Sequence, residues 1–363
     1  MRKANESPTT AVSGRLLRSC CATFGLRDMT LDPSARLVYE AIQQLGWDAD
    51  PARLTERIQA LDIGLPAEDE FACLLTWFGR CRLVHGLSQS QHPPTSRETL
   101  QVPDLLAVFD APGGHGTCTA LIEVKTSKTR KLSWTQKYMA KLRGYADLLG
   151  VPLLVAWRCL SLWTLVDIKA FQKRDRNWHL PLEEALRQNM MGMLAGDFAF
   201  VMRGNVGLHL ELKKEHLIAE TQRSPTEREE TWNLRVTDAF FINSFGDRMT
   251  CLRRGLWPLF LSAGPESANE VRESSIHQQF CIPEEPGIHF AHAALPVLIA
   301  FSGAEKTRVE WRKQLEHGDF PVQFDDISRA ATEGIKDGFV QHVLHQQPVT
   351  KPTFLEKKDR TSA

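Results

Sequence analysis

The sequence lacks the features that mark a secreted, membrane or zinc-thiolate protein. Its eight cysteines are scattered, with only Cys20 and Cys21 adjacent and no CxxC pair. This spacing fits neither a zinc site nor a disulfide framework, so we expect reduced thiols and a cytoplasmic location. The best candidate for a membrane span, residues 293–301, is short and contains Pro296. Since the N-terminus also has no apolar signal core, no membrane partner is expected.

An excess of one charge is also missing, because Lys+Arg and Asp+Glu each number 44. Any basic surface for nucleic acid must therefore be local. The sequence contains no Walker-type phosphate loop, GxSxG elbow or internal repeat, which argues against three large classes of protein. With 363 residues and 42% hydrophobic content, the chain is long enough for a sizeable core and for two or more compact units.

The most informative stretch is 102–125, which reads VPDLLAVFDAPGGHGTCTALIEVK. Two apolar runs flank a Gly-rich break, and this pattern predicts an antiparallel hairpin. If the turn is centred at 113–114, facing residues have numbers that sum to 227, so Asp104 faces Glu123. Lys125 lies two residues further on and projects from the same face. Two carboxylates and an ammonium thus converge, and oxygen ligands in that arrangement suit a hard cation such as Mg²⁺.

Pro103-Asp104 followed by Glu123-Val124-Lys125 resembles the bipartite signature of the PD-(D/E)xK nuclease superfamily. The resemblance implies that Asp104 and Glu123 are metal ligands. It also implies that Lys125 is the catalytic lysine, which positions the attacking water and stabilises charge. The implied cofactor is Mg²⁺, with Mn²⁺ as a substitute. A solvated sheet face is the alternative, because charged pairs also occur across ordinary hairpins.

A third acidic residue is expected upstream, because in this superfamily the helix before the first strand often supplies one to the metal site. The run Pro66-Ala67-Glu68-Asp69-Glu70 begins a predicted helix. Glu70 is the candidate metal ligand, and Glu68 is the alternative. Acidic residues also suit the N-terminal turn of a helix, so stabilisation of the helix dipole is an equal explanation for both.

Positive charge is concentrated directly after the hairpin. Residues 125–143 include seven Lys or Arg and no Asp or Glu, which predicts a local phosphate-backbone footprint. The candidate nucleic-acid-binding residues are Lys128, Arg130, Lys131, Lys137 and Lys141. The last two lie one turn apart on a helix predicted to begin at Ser133 and to end at Gly150. The aromatic residues Tyr138 and Tyr145 of this helix are assigned to the core.

The predicted order of elements is helix, strand, the PD and ExK hairpin, helix, strand, strand. Residues 151–157 form a continuous apolar run typical of a buried strand, and 160–168 is its predicted antiparallel partner. This order is similar to the restriction-endonuclease-like core. Residues 68–168 most resemble archaeal-type Holliday-junction resolvases and related restriction nucleases. The expected fold class is therefore α/β, with a mixed sheet flanked by helices. The resolvases' basic, Ser-rich segment upstream of PD has no counterpart, so junction specificity is not implied.

Five regions are expected along the chain. They are a mobile tail (1–30), a small helical lobe (31–66), the nuclease-like core (67–170), a mixed α/β region (171–347) and a polar tail (348–363). Within the fourth region we expect a hairpin at 197–212, a connector at 221–231, strands at 236–245 and 256–262, and helix at 324–343.

The function implied is a metal-dependent endonuclease that hydrolyses DNA phosphodiester bonds, in repair, recombination or defence. A different class stays open: a non-catalytic module that binds nucleic acid or protein and keeps the nuclease fold. RNA and branched DNA stay open as substrates. Nucleases of this superfamily often act as dimers, so a homodimer stays open too, although no stretch of the sequence identifies a dimer surface.

Overall fold

The computed structural model describes residues 50–114, 116–224, 227–302 and 309–355, with 37–38, 41–42 and 45 as isolated positions. The chain divides into two compact units, residues 1–58 and 59–363. The predicted tail 1–30 and the end of the polar tail, 356–363, lie outside the described residues. The finer domain boundaries stay predictions. Within the described residues, no helix combines the length and apolar character needed to cross a bilayer.

The first half of the described chain contains α1 (Pro51–Phe78), β1 (Cys81–Gly86), α2 (Ser96–Thr99), β2 (Leu105–Asp110), β3 (Thr117–Ser127), β4 (Lys131–Thr135), α3 (Gln136–Leu149), β5 (Leu153–Cys159), β6 (Leu162–Asp167), β7 (Gln172–Arg174), β8 (Asn177–Pro181) and α4 (Leu182–Arg187). Its main sheet has the order β1-β2-β3-β5-β6. All neighbours in this sheet are antiparallel except β3 and β5, which are parallel. The α/β class and the predicted order of elements are confirmed.

The second half contains β9 (Ala199–Met202), β10 (Gly207–Ser224), β11 (Glu227–Ile242), β12 (Arg248–Met249), α5 (Leu256–Ser262), β13 (Glu266–Val271), β14 (Ser275–Cys281), β15 (His289–Phe290), α6 (Ala294–Ser302), α7 (Trp311–His317), α8 (Phe324–Lys336) and β16 (Val340–Leu344). A second five-stranded sheet has the order β12-β11-β10-β14-β13. Two three-stranded sheets, β15-β9-β16 and β4-β8-β7, complete the described strands.

The β2–β3 hairpin has the predicted register, because Leu105 pairs with Ile122 and Ala107 with Ala120. Strand β3 is buried on both sides, as expected for a central strand with a parallel neighbour. Its Ile122 side packs into a core that includes Phe71 of α1 and helices of the C-terminal half. Its Leu121 side packs into a second core with α3 and with the β4-β8-β7 sheet. The candidate carboxylate Glu123 shares the Leu121 side, next to α3.

Two helix boundaries were predicted wrongly. The helix start predicted at Pro66 is wrong, because α1 begins at Pro51 and continues through Pro66. A proline removes a single intrahelical hydrogen bond, and the packing of the apolar residues that follow it outweighs that loss. Helix α3 begins at Gln136 rather than Ser133, with Thr135 as its N-cap, because residues 131–135 pair with β8 instead. Its end at Gly150 is confirmed, since Gly150 has a left-handed φ of 65°.

In the C-terminal half, long-range pairing overrides the local patterns. The predicted hairpin at 197–212 is wrong, since β9 pairs with β15 and β16 whereas β10 pairs with β11 and β14. The expected connector at 221–231 belongs mostly to β10 and β11. The expected strand at 256–262 is the helix α5, and the expected helix 324–343 ends at Lys336, before β16.

Candidate active site

The open end of the β2–β3 hairpin brings the Asp104, Glu123 and Lys125 side chains together. Asp104 Oδ2 accepts a hydrogen bond from the Val124 backbone N–H at 2.8 Å, and the Asp104 carbonyl accepts one from Leu87 N–H at 2.9 Å. Lys125 Nζ donates to Glu123 Oε1 and lies 3.7 Å from Asp104 Oδ2. The lysine therefore bridges the two carboxylates, while backbone groups hold Asp104 in place.

Tyr138 is a fourth member of this cluster. Its hydroxyl donates to Glu123 Oε1 from the start of α3. The prediction that Tyr138 is only a core residue missed this role, although a partly buried tyrosine hydroxyl needs a partner and α3 follows the hairpin closely. Glu123 is 2% exposed, and its other oxygen, Oε2, is buried and has no hydrogen-bond partner among the residues that the structure describes. Burying a carboxylate oxygen without a partner costs folding free energy unless a ligand binds to that oxygen.

The electrostatics of the cluster show a surplus of negative charge. Burial and the Asp104 carboxylate raise the pKa of Glu123 to about 7, although Lys125 and Tyr138 act in the opposite direction. Burial lowers the pKa of Lys125, but Glu123 and Asp104 raise it more, so the net value lies well above the usual range. The ammonium therefore stays charged, yet one positive charge does not offset the buried carboxylates.

Of the two upstream acids, Glu68 rather than Glu70 belongs to this cluster. Burial raises the pKa of Glu68 to about 8, with a further increase from Asp104 and Glu123. Glu70 instead pairs with Arg158 and accepts a hydrogen bond from Trp163 Nε1 at 2.9 Å. The contacts of Glu70 thus disfavour it as a metal ligand, and the electrostatic effect of Asp104 and Glu123 on Glu68 favours the alternative, Glu68.

The cluster fits a magnesium ion that keeps much of its water shell. Among the described residues, no group of three or more His, Cys, Asp and Glu side chains is arranged to hold a metal ion. Mg²⁺ does not require such a cage, because it is usually bound through one or two carboxylates together with water and substrate phosphate. Asp104 and Glu123 supply two carboxylates, and no described residue forms a hydrogen bond with Glu123 Oε2. The donor set is all oxygen, as a hard cation prefers.

The candidate nucleic-acid-binding residues differ in exposure and pairing. The side chains of Lys128, Arg130, Lys131 and Lys137 are exposed. None of these four forms an ion pair with a described residue, so their charges are available to a phosphate backbone. Lys141 differs, because it is partly buried and its Nζ donates to the Arg97 carbonyl near α2. Trp134, which is 5% exposed, packs edge-on against Tyr138 and is a core residue.

Neither a protein-family model nor a curated protein matches the chain. Among solved structures, the chain is similar to the Holliday junction resolvase of Archaeoglobus fulgidus, an archaeal hyperthermophile, at 18% identity and a TM-score of 0.27. The match covers 34% of this chain and 87% of the resolvase. The fold class follows from the strand order and register described above.

Proposed function

We propose that the protein is a metal-dependent nuclease that hydrolyses phosphodiester bonds, with DNA as its substrate. The observation that carries this proposal is the buried Glu123 Oε2, which has no hydrogen-bond partner among the described residues and lies beside Asp104 and Lys125. A buried carboxylate oxygen without a partner is costly, and a bound cation would supply the partner that it lacks.

Each residue of the cluster has a distinct role in this proposal. Asp104 and Glu123 would hold Mg²⁺ or Mn²⁺, with Glu68 nearby as a further acid. A divalent ion bound there supplies Lewis acidity and lowers the pKa of a coordinated water. Tyr138 keeps the Glu123 carboxylate in one orientation, which is the usual task of a group that hydrogen-bonds to a metal ligand.

Lys125 provides the positive charge nearest to both carboxylates. Its ammonium is held by Glu123 Oε1 and by the Val124 carbonyl, which accepts at 3.0 Å, and the side chain is 30% exposed. An ammonium has three donor hydrogens, so an incoming phosphate or water can replace one of these contacts. Lys125 thus orients the attacking water and offsets the charge that develops on the phosphate.

The exposed cations next to the cluster account for binding of the substrate backbone. Lys128 and Arg130 lie in the turn after β3, Lys131 begins β4, and Lys137 is the second residue of α3. Unpaired Lys and Arg side chains bind phosphates without reading sequence. We therefore expect affinity for the nucleic-acid backbone with strong dependence on salt.

A specific observation favours a second candidate, a non-catalytic nucleic-acid-binding module. Lys125 already pairs with Glu123, and no three-residue metal cluster is present among the described residues. If this candidate is right, the basic residues bind DNA but no metal binds and no cleavage follows. Cleavage and metal binding therefore separate the two functions, whereas DNA binding alone does not.

The test combines a cleavage assay with calorimetry. Purified protein is incubated with linear duplex, single-stranded and branched DNA, and with RNA, in Mg²⁺, Mn²⁺ or EDTA. We expect cleavage of DNA in Mg²⁺ or Mn²⁺ and none in EDTA, and metal binding that is lost in Asp104→Asn. An absence of cleavage on every substrate, together with no metal binding that depends on Asp104, would sink the nuclease proposal and favour the binding module.

A further inference from the structure

Strands β10 and β11 extend past the end of their neighbour β14 and form a two-stranded ribbon there. Strand β14 pairs with β10 only from Gly207 to Lys213, whereas β10 and β11 stay paired as far as Ser224 and Glu227. We call residues 212–236 the arm, of which the first two, Leu212 and Lys213, still pair with β14. A two-stranded ribbon alone is marginally stable in water, and it usually needs a third strand or another packed element. A packing partner for the arm is therefore expected.

One face of the arm is apolar. In β11, Trp232, Leu234 and Val236 alternate with polar residues, and this period of two is typical of a strand with one buried face. Their partners across the ribbon on the same face are Leu217, Lys214 and Leu212. Yet Val236 is 55% exposed, Leu217 is 43% exposed and Leu234 is 38% exposed. Leu212, at the end of the arm nearest the sheet, is 8% exposed and Trp232 is partly buried, but the described chain does not bury Val236, Leu217 or Leu234.

The charges on this face are arranged asymmetrically along the arm. Lys214 lies at the end of the arm that is nearer to the sheet, and its Nζ is 5.4 Å from the centre of the Trp232 ring. Towards the tip, Glu220 and Glu230 pair directly across the ribbon. Glu230 Oε2 also accepts a hydrogen bond from Trp232 Nε1 at 2.8 Å. Between the lysine and the two acids lies the pair Leu217 and Trp232.

We propose that this face of the arm packs against the same face of a second copy of the chain, in an antiparallel two-fold dimer. The Leu217–Trp232 pair lies midway between the Lys214 row and the Glu220–Glu230 row in the register. A two-fold axis through this pair places each Lys214 opposite the two acids of the other copy. The same axis packs the apolar residues against each other, so the surface is complementary to itself.

The composition of the arm favours a protein over nucleic acid as the occupant. Residues 212–236 contain five Lys or Arg and five Glu, and two of the acids lie on the apolar face. A surface of this kind has no net attraction for phosphates. In a dimer, the lysine and the two acids of the arm pair with each other, whereas an unrelated partner would have to supply the opposite charges itself. A second copy is therefore the occupant that the observations favour, independently of the nuclease proposal.

The first test measures oligomeric state and compares two faces of one strand. Analytical ultracentrifugation of the full chain should show a concentration-dependent dimer. Leu234→Glu should raise the dimer dissociation constant at least about 100-fold, because a two-fold dimer buries the new charge twice. Asn233→Glu is the matched control, since it adds the same charge one residue away on the opposite face. A wild-type monomer at all concentrations, or equal effects of both variants, would overturn the proposal.

The second test uses the proposed contact between charges. The variant Lys214→Glu and the double variant Glu220→Lys, Glu230→Lys should each be monomeric, because each brings like charges together in a homodimer. An equimolar mixture of the two should form a heterodimer, in which both contacts regain opposite charges. Melting curves verify that each variant is folded. Variants that stay dimeric alone, or a mixture that stays monomeric, would show that the arm is not the interface.

Discussion

The Tyr138 hydroxyl donates a hydrogen bond to Glu123 Oε1, which joins the start of α3 to the centre of β3. The same oxygen accepts from Lys125, whereas Oε2 has no hydrogen-bond partner among the described residues. The carboxylate is thus held through one of its two oxygens. This asymmetry is what the proposed binding of a cation to Glu123 requires.

Removing the tyrosine hydroxyl tests the importance of that orientation. Tyr138→Phe should lower nuclease activity about tenfold, because loss of a group that orients a metal ligand typically costs 10- to 100-fold. The free energy of unfolding should fall by about 1 kcal/mol for the lost hydrogen bond. Tyr145→Phe is the matched control on the same helix, and it should change neither quantity. Equal activities of the two variants would show that Tyr138 has no part in the site.

Substitutions should show that Glu68 belongs to the site and that Glu70 has a structural role. Glu70→Gln should lower the free energy of unfolding by about 1–3 kcal/mol, since it leaves Arg158 without its charged partner. Glu68→Gln should leave stability unchanged or raise it, because burial already disfavours the charged form there. It should also weaken Mg²⁺ binding, measured by calorimetry. The reverse pattern, with Glu70→Gln alone affecting metal affinity, would restore Glu70 as the ligand.

The hairpin could be predicted from the sequence because its signals are local. Turn residues and alternating apolar positions fix the register, and Leu105 pairs with Ile122 as the sum of 227 requires. The choice between Glu68 and Glu70 could not be predicted in this way. The two residues lie on a helix whose rotation is set by packing against the sheet, and the partner of Glu70, Arg158, lies 88 residues away.

The C-terminal half was harder to predict because its strands pair over long distances. Strand β9 pairs with β16, more than 130 residues later in the chain, and no local pattern indicates that contact. Residues 256–262, which read LWPLFLS, are apolar throughout, so their periodicity does not distinguish a strand from a buried helix. Burial of Leu256, Leu259 and Phe260 shows the helical spacing only once the fold is known.

The exposed lysine of α3 should contribute to DNA affinity without contributing to sequence preference. Lys137→Ala should weaken binding to unrelated duplexes equally and should reduce the slope of log K against log salt by about 0.9, the value for one phosphate contact. Lys336→Ala is the matched control, since this lysine of α8 is also exposed and has no ion pair with a described residue. Lys141→Ala should give a smaller change in slope, because its ammonium already binds the Arg97 carbonyl. An unchanged slope for Lys137→Ala would place the footprint elsewhere.

Substitutions of Lys125 and of Asp104 should both abolish cleavage, but for different reasons. Lys125→Met keeps most of the aliphatic stem, so the protein should stay folded and bind DNA while cleavage in Mg²⁺ falls at least about 100-fold. Asp104→Asn should also abolish cleavage, but with loss of Mg²⁺ affinity in calorimetry. In EDTA it should bind DNA more tightly than wild type, because a carboxylate that faces phosphate without a cation is repulsive. Lys128→Ala is the matched control, since it removes one exposed positive charge just beyond β3 and should leave the cleavage rate at saturating DNA unchanged. Melting curves for each variant show that the fold is retained. If Lys125→Met cleaves at the wild-type rate, then the lysine takes no part in catalysis and the role proposed for it is wrong.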